Sequence, residues 1–276
     1  MKIKFFIDRY ADVGGIILSM VIFKPTCLIE LKEAVVSWNK DRNKTIDHFG
    51  HISLWDTLLI TNMNNLFKHL NFNDNISTWN TSNVTDMSNM FYGAHLFNQP
   101  LNNWNTSNVT DMSNMFYGAH LFNQPLNNWN TSNVTDMSEM FTYTKKFNSN
   151  INSWNTSNVT DMEAMFESSD NFNQPLNNWN TYKVTDMSSM FESALSFNQY
   201  INNWNVGNVK YMSNMFSNTH NFNQTLNNWN ISKVIDMTEM FCYSKKFNQR
   251  LTSWDTSNVT DMYNMFAHSD MFMYKN

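Results

Sequence analysis

The stretch TSNVTDMSNMFYGAHLFNQPLNNWN occupies residues 81–105, and an identical copy follows immediately as residues 106–130. Independent selection on side chains would not keep surface positions identical over two whole units. A duplication of one unit that has not yet drifted explains the identity. Whole units are gained easily in a protein whose repeats contact only their neighbours. The stretch therefore identifies the chain as a tandem-repeat protein.

Tryptophan marks the same period along most of the chain. Eight tryptophans follow one another at a constant step that equals the length of this stretch: Trp79, Trp104, Trp129, Trp154, Trp179, Trp204, Trp229 and Trp254. Each unit also holds six other apolar positions, which in one unit are Phe97, Leu101, Val109, Met112, Met115 and Phe116. So few apolar residues cannot make a core alone, but stacked units can share one. We interpret the tryptophans as a column inside that core, and an exposed sugar-binding platform is the alternative.

The repeat register divides the chain into four parts. Residues 1–47 are an N-terminal segment with a helical cap, and residues 48–71 are a degenerate first repeat around Trp55. Residues 72–271 hold eight repeats of equal length, and residues 272–276 are a truncated C-terminal end. An uncapped end is open to pairing, so we expect end-to-end self-association.

Two interpretations of the first residues remain open. The apolar stretch Gly14–Phe23 (GGIILSMVIF) follows a basic start, as in a secretion signal. Asp8 and Arg9 interrupt that pattern, however, and no small-residue cleavage site follows it. Ten apolar residues are also too few to span a bilayer as a helix. We favour a buried capping strand, and a secretion or anchor signal is the alternative.

Within a unit, local signals predict one short helix and one short strand. Val84, Met87 and Met90 have helical spacing, and Thr85 suits an N-cap for a helix that we predict over residues 86–92. The stretch LNNWN at residues 101–105 is the strand candidate. The period lies within the range of leucine-rich repeats, which have a strand and a helical turn per unit. The prediction is an α/β solenoid with one coil per unit.

Polar residues at fixed register have structural explanations in such a coil. Asparagines would stack into ladders in which each amide bonds the ones above and below. The predicted ladder consists of Asn98, Asn123, Asn148, Asn173, Asn198, Asn223 and Asn248. The recurring acid would start the helix, with a calcium column as the alternative. It is present as Asp86, Asp111, Asp136, Asp161, Asp186, Asp236 and Asp261, with Tyr211 in one unit.

Several functional classes find no support in the sequence. There is no Gly-rich phosphate loop, no Cys/His ligand cluster and no G-x-S-x-G, so we predict no enzyme, no cofactor and no metal site. A net charge of −5 with 18 scattered Lys and Arg argues against nucleic acid. His95 and His120 share one register in a window that varies between units, and solvated loop histidines are favoured over a metal site. Sequons such as those of Asn80 and Asn83 matter only in a secretory pathway.

The recurring motif WNTSNVTDMSNMF resembles the repeat of the BspA-like leucine-rich-repeat surface proteins. Repeats of this type and length also occur in mycoplasma lipoproteins, protists and giant viruses. The similarity spans about residues 48–272. The entry segment FKPTCLIELKEAVVSW, residues 23–38, resembles that of the family, and Leu28, Leu31, Val35 and Trp38 suit a helix there. The resemblance implies a right-handed leucine-rich-repeat-like solenoid and an adhesion-type surface role.

Two functional classes follow. The first is a binding module for a protein or glycan, and the second is a structural or scaffold repeat protein without a dedicated ligand. We expect a surface location by resemblance, or an intracellular one because the signal is weak; membrane attachment would require that signal. The candidate binding face consists of Asn102, Asn103, Asn105, Asn127, Asn128, Asn130, Asn177, Asn178, Asn180, Asn202, Asn203 and Asn205.

Overall fold

All helices and strands that the structure describes lie before residue 55. The computed structural model describes residues 10–12, 15–17 and 22–269. In chain order the elements are strand β1 (Tyr10–Asp12), strand β2 (Gly15–Ile17), helix α1 (Leu28–Lys40), helix α2 (Arg42–Phe49) and a 3₁₀ turn (Ile52–Leu54). Strands β1 and β2 pair antiparallel. The predicted capping strand over residues 14–23 and the residues after 269 fall largely outside the described residues.

Helix α1 packs one apolar face against the beginning of the repeats. Leu31, Val35 and Trp38 are buried in the same core as the repeat residues. The Trp38 ring lies edge-on to Trp55 at 6.1 Å, and its indole N–H donates a hydrogen bond of 2.9 Å to Asp74. Arg42 holds the same carboxylate at 2.7 Å. The helix is thus tied both to the core and to the surface of the first repeat.

The repeats stack so that equivalent residues of neighbouring units pair. Single parallel bridges join Asn62 to Asp86 and Asp86 to Asp111, then continue through the same register as far as Asp261. Between residues 55 and 269 the described chain otherwise consists of turns and irregular backbone, with no helix and no longer strand. The predicted helix over residues 86–92 is therefore wrong, and so is the predicted strand over residues 101–105.

Sideways hydrogen bonds explain why residues 86–92 are not helical. The N–H groups of Met87, Asn89 and Phe91 donate to carbonyls of the next repeat at 3.0, 2.9 and 2.9 Å. A helix would direct each N–H to the carbonyl four residues earlier. Here the intervening Met90 bonds three residues back, to Met87, at 3.2 Å. Alternating turns thus produce the three- and four-residue apolar spacing that resembled a helix.

Left-handed backbone recurs at two positions of every repeat and makes these alternating turns possible. One register has positive φ at Asn65, Asn89, Asn114, Glu139, Ala164, Ser189, Asn214, Glu239 and Asn264. The second has it at His69, Gly93, Gly118, Tyr143, Ser168, Ser193, Asn218, Tyr243 and His268. Asn and Gly tolerate this region best. Their frequency in the two registers is the local sequence reason for the conformation.

The backbone around Trp104 is a turn and not a strand. The N–H of Trp104 donates back to the carbonyl of Leu101 at 3.0 Å. That bond brings the two apolar side chains, three residues apart, into the core together. The same bond recurs at Trp129 and Trp154 with distances of 3.1 Å. A strand would have sent residues three apart to opposite faces.

Aromatic rings fill the core in columns. Six pairs of equivalent tryptophans, among them Trp55–Trp79 and Trp229–Trp254, stack at 6.2 to 6.5 Å. Beside them, Phe91 stacks on Phe97 of its own turn at 3.9 Å and on Phe116 of the next repeat at 5.5 Å. Every buried side-chain nitrogen or oxygen in the described ranges has a hydrogen-bond partner. The core is thus both continuous and free of unpaired polar groups.

Candidate functional site

The predicted binding face lies mostly on the surface. Ten of its twelve asparagines are exposed; Asn102 is half-buried and Asn202 is buried, with 6% of its surface exposed. The face runs across successive repeats because most units repeat the sequence NNWN with its tryptophan turned inward. It therefore offers rows of primary amides to solvent.

Each asparagine of the unit around Trp104 has a different bonding state. Asn102 links repeats, because its Oδ1 accepts from the N–H of Asn128 at 3.0 Å. Asn105 closes a local turn, since its Oδ1 accepts from the N–H of Ser107 at 3.0 Å. The side chain of Asn103 makes no hydrogen bond with the described residues. In this unit Asn103 is thus the asparagine whose amide is available to a ligand.

One unit in the middle of the stack breaks the pattern and opens a groove in this face. Where three other units read NQPLNNW, residues 148–154 read NSNINSW. A groove of about 650 Å³ lies there, lined by Pro125, Asn127, Ser149, Asn150, Asn152, Ser153 and Asn178. Serine replaces glutamine at position 149 and asparagine at position 153, so two shorter side chains leave space between the neighbouring repeats.

The groove is uncharged and rich in hydrogen-bonding groups. Asn127 and Asn178, both on the predicted face, line it from either side of the altered unit. Its lining includes amides and hydroxyls, which donate and accept, and no ionisable side chain. The sequence comparison of units did not single out Ser149, Asn150 or Ser153. Their departure from NQPLNN was the signal that could have found them.

The aspartate column has a different role from the predicted one. Asp86 Oδ1 accepts from the N–H of Ser88 at 2.9 Å and from its hydroxyl at 2.7 Å. Asp111 and Ser113 repeat both bonds with the same distances. The carboxylate thus caps a turn beside the bridge and starts no helix. Across the described ranges, no three His, Cys, Asp or Glu are grouped to hold a metal ion.

Acidic side chains crowd the outer edge of the bridge column in the middle repeats. Burial, with help from the nearby charges of Glu192 and Glu139, raises the pKa of Glu167 to about 7, although a hydrogen bond from Tyr143 acts to lower it. Burial also raises the pKa of Glu163, assisted by Asp186 and Asp161. These carboxylates repel one another, which adds to the effect of burial on their pKa values.

The two histidines and the tyrosines of the duplicated units form short surface columns. His95 stacks on His120 at 4.7 Å, and each Nδ1 pairs with a backbone carbonyl of the next repeat at 2.8 Å. Tyr92 stacks on Tyr117 at 4.4 Å, with the ammonium of Lys68 4.3 Å from the Tyr92 ring. Burial raises the pKa of Tyr117 to about 12. Stacking between identical units explains these columns.

The tryptophan column is closed to solvent along most of its length. From Trp79 to Trp229 the indoles are 2 to 4% exposed, and Trp254 in the last described repeat is half-buried. The indole N–H of Trp129 donates to the carbonyl of Leu101 at 2.9 Å. Neither ring faces nor ring edges of the buried members can meet a sugar.

The stacked, equivalent units define the protein as a tandem-repeat protein. A family model described as "Mycoplasma protein of unknown function, DUF285" matches residues 33–148, 124–226 and 172–275. Because these overlapping matches cover most of the chain, the chain belongs to this family. The comparisons found no matching curated protein and no matching solved structure. In the part of the chain that the structure describes, no helix has the length and apolar character needed to cross a bilayer.

Proposed function

We propose that the protein is a non-enzymatic binding module that holds an uncharged, hydroxyl-rich glycan along its asparagine face. The observation that carries the proposal is the groove of about 650 Å³ at the unit where two serines shorten this face. Amide groups match sugar hydroxyls because both donate and accept hydrogen bonds. The free amide of Asn103 extends the polar surface beyond the groove.

A glycan fits this surface better than a folded protein does. Protein interfaces depend on aromatic and other large side chains buried at their centre. The groove is lined instead by asparagines, serines and one proline. The exposed Tyr200 stands in the position that Asn150 occupies two units earlier, and it offers a ring face at the edge of the amide rows. A sugar ring can pack on such a face while its hydroxyls bond the amides.

The proposal also covers the fold class of the repeats. We propose a leucine-rich-repeat-like solenoid of the BspA-like type, supported by the parallel bridges between equivalent residues of successive units. The backbone between these bridges differs from the strand and helix of a leucine-rich repeat. The support is therefore the one-coil-per-unit stacking and not the secondary structure of the coil.

The test is binding to an array of immobilised neutral and acidic oligosaccharides. The paired substitution Ser149→Gln and Ser153→Asn restores the residues found in the NQPLNNW units and fills the groove, so we expect at least about tenfold weaker binding to any glycan captured. Ser82→Gln, at a half-buried surface position remote from the groove, is the matched control and should bind normally. Equal binding by both variants would reject the groove as the site.

A structural spacer is the second candidate, and one observation favours it. Much of the amide capacity of the face is used between repeats, as in the bond from Asn203 Nδ2 to the carbonyl of Asn177 at 2.6 Å. A face that mainly bonds itself contributes to stability without a ligand. An array on which the folded chain binds nothing would support the spacer and reject the glycan proposal.

A further inference from the structure

The last described repeat exposes side chains that every inner repeat buries. Met262 is 46% exposed, whereas Met212 and Met237 at the same register are fully buried. Together with Leu251, Trp254, Met265 and Phe266 it lines an apolar depression of about 420 Å³. We call this surface, formed by residues 250–268, the C-terminal face. It has the composition of the interior interface between two repeats.

Hydrogen-bond donors on this face point away from the repeats. In inner repeats the N–H groups at these registers reach the next unit, as in Met237 to Asp261 at 2.9 Å and Glu239 to Tyr263 at 2.9 Å. The N–H groups of Met262 and Asn264 occupy the same registers and make no such bond with the residues that the structure describes. A partner that covers this side must therefore offer acceptors.

Acceptors lie on the other side of the same depression. In inner repeats the carbonyl of Leu101 accepts from the indole of Trp129, and the carbonyl of Ser107 accepts from the amide of Asn133 at 2.7 Å. On the C-terminal face the equivalent carbonyls belong to Leu251 and Ser257, and they receive no such bond from the next unit among the described residues. Donors and acceptors thus flank one apolar centre.

We infer that the C-terminal face binds the C-terminal face of a second copy of this chain in a two-fold symmetric dimer. The two-fold axis would lie in the plane of the face, between the donors at Met262 and Asn264 and the acceptors at Leu251 and Ser257. Rotation about this axis places the donors of each copy over the acceptors of the other. Such an isologous contact closes after two chains. The apolar depressions would then meet at the centre, as side chains do at every interface between repeats.

The opposite end of the stack is a poorer partner for this face. Helix α1 packs there, with Leu31, Val35 and Trp38 buried in the core. A head-to-tail contact would have to displace this helix, and it would continue into filaments because it does not close. The two-fold contact displaces no helix or repeat that the structure describes, and it continues the interface that already joins the repeats.

Sedimentation of the full chain over a concentration series tests the inference. We expect a monomer–dimer equilibrium for the unmodified chain and loss of the dimer in Met262→Lys. Lysine places a charged ammonium group in the apolar depression, and the N–H groups beside it cannot accept its hydrogen bonds, so burial of the charge is costly. Leu96→Lys replaces an equally exposed apolar residue in the first of the eight repeats, far from the C-terminal face, and should leave the dimer intact. A chain that stays monomeric at every concentration would overturn the inference.

Two further measurements distinguish the two-fold dimer from head-to-tail association and from coverage of the face by residues after 269. Growth beyond the dimer, or a one-to-one complex between labelled Met262→Lys and unmodified chains, would indicate head-to-tail contact and overturn the two-fold arrangement. If the unmodified chain is monomeric and Phe272→Ser dimerises, residues after 269 cover the face themselves, and the inference fails. Circular dichroism of each variant shows whether it is folded, so a lost dimer is not mistaken for unfolding.

Discussion

At the scale of single residues, the asparagine ladder differs from the predicted one. The prediction joined amide to amide, but the side-chain oxygen of Asn123 accepts from the backbone N–H of Asn148 at 2.8 Å. The same bond links Asn98 to Asn123 at 3.0 Å. The ladder residues are exposed or half-buried, so their role is to bridge two backbones and not to satisfy one another in the core.

This bond gives the first prediction. Asn123→Ala removes the acceptor of the Asn148 N–H, and we expect the free energy of unfolding to fall by about 1 kcal/mol. Asn103→Ala is the control, because that side chain makes no hydrogen bond with described residues and should change stability by less than about 0.5 kcal/mol. Urea denaturation of both variants measures the difference. Equal losses would mean that the ladder bond contributes nothing.

Glu167 gives a prediction for pH. Its pKa is about 7 in the folded chain against 4.5 for the free side chain. The folded state therefore binds more protons between these values, and stability falls as the pH rises through this window. Glu167→Gln should lessen the decline in melting temperature between about pH 5 and pH 8, whereas Glu33→Gln, at an exposed position on α1, should not. A decline of unchanged size in Glu167→Gln would contradict this cause.

At the scale of the repeat element, the left-handed positions decide which residues fit. Ala164 has φ of 50° in a register where several other units hold asparagine. Left-handed backbone costs an alanine about 1 kcal/mol or more in conformational free energy, and it costs an asparagine less. We expect Ala164→Asn to raise the free energy of unfolding by about 0.5 kcal/mol and Ala164→Val to lower it. Thermal denaturation would contradict the argument if valine were tolerated as well as asparagine.

The repeat also shows how far the sequence predicts this fold. The period predicted which residues share a column, because a strictly periodic pattern leaves Trp129 and Trp154 equivalent in any stacked arrangement. It did not predict the backbone of Met87–Met90, since the apolar spacing there fits a helix and a pair of turns equally. Only the sideways bonds to the next repeat separate the two, and local propensity does not contain them.

The candidate site was predictable in part for the same reason. Exposure of Asn103 and its equivalents follows from the inward tryptophan next to them in the sequence. The groove depends on volumes in three neighbouring repeats, where Ser149 and Ser153 lie between longer side chains. A comparison of units shows the substitution but not the space that it leaves, which requires the packed neighbours.

At the scale of the whole molecule, the two sides of the stack are spaced differently. Direct backbone bonds such as Phe91 to Met115, at 2.9 Å, join repeats on the bridge side. On the asparagine side a whole side chain is inserted, as between Asn123 and Asn148. Ring spacings rise in the same direction, from 4.4 Å for Tyr92–Tyr117 to 6.2 Å for Trp129–Trp154. Equivalent residues are thus farther apart at these tryptophans than at these tyrosines.

Stability should also vary along the stack, because each repeat is held only by its neighbours. Middle repeats have two, and helix α1 protects the first, whereas no described repeat follows the C-terminal face. We therefore expect the amide of Met237 to exchange with deuterium faster than that of Met137, in dilute protein where any dimer has dissociated. Both donate the same bond to the next repeat.

The hydrogen-bond lengths at Met237 and Met137 predict the opposite order of exchange rates from fraying at the C-terminal face. The Met237 N–H lies 2.9 Å from its acceptor and the Met137 N–H lies 3.2 Å from its own. If local bond geometry governed protection, Met237 would exchange more slowly, which is the opposite order. Equal exchange at both positions would mean that the repeats open only by global unfolding. Faster exchange at Met237 would show fraying from the open end, and its slowing at high protein concentration would report contact made by that face.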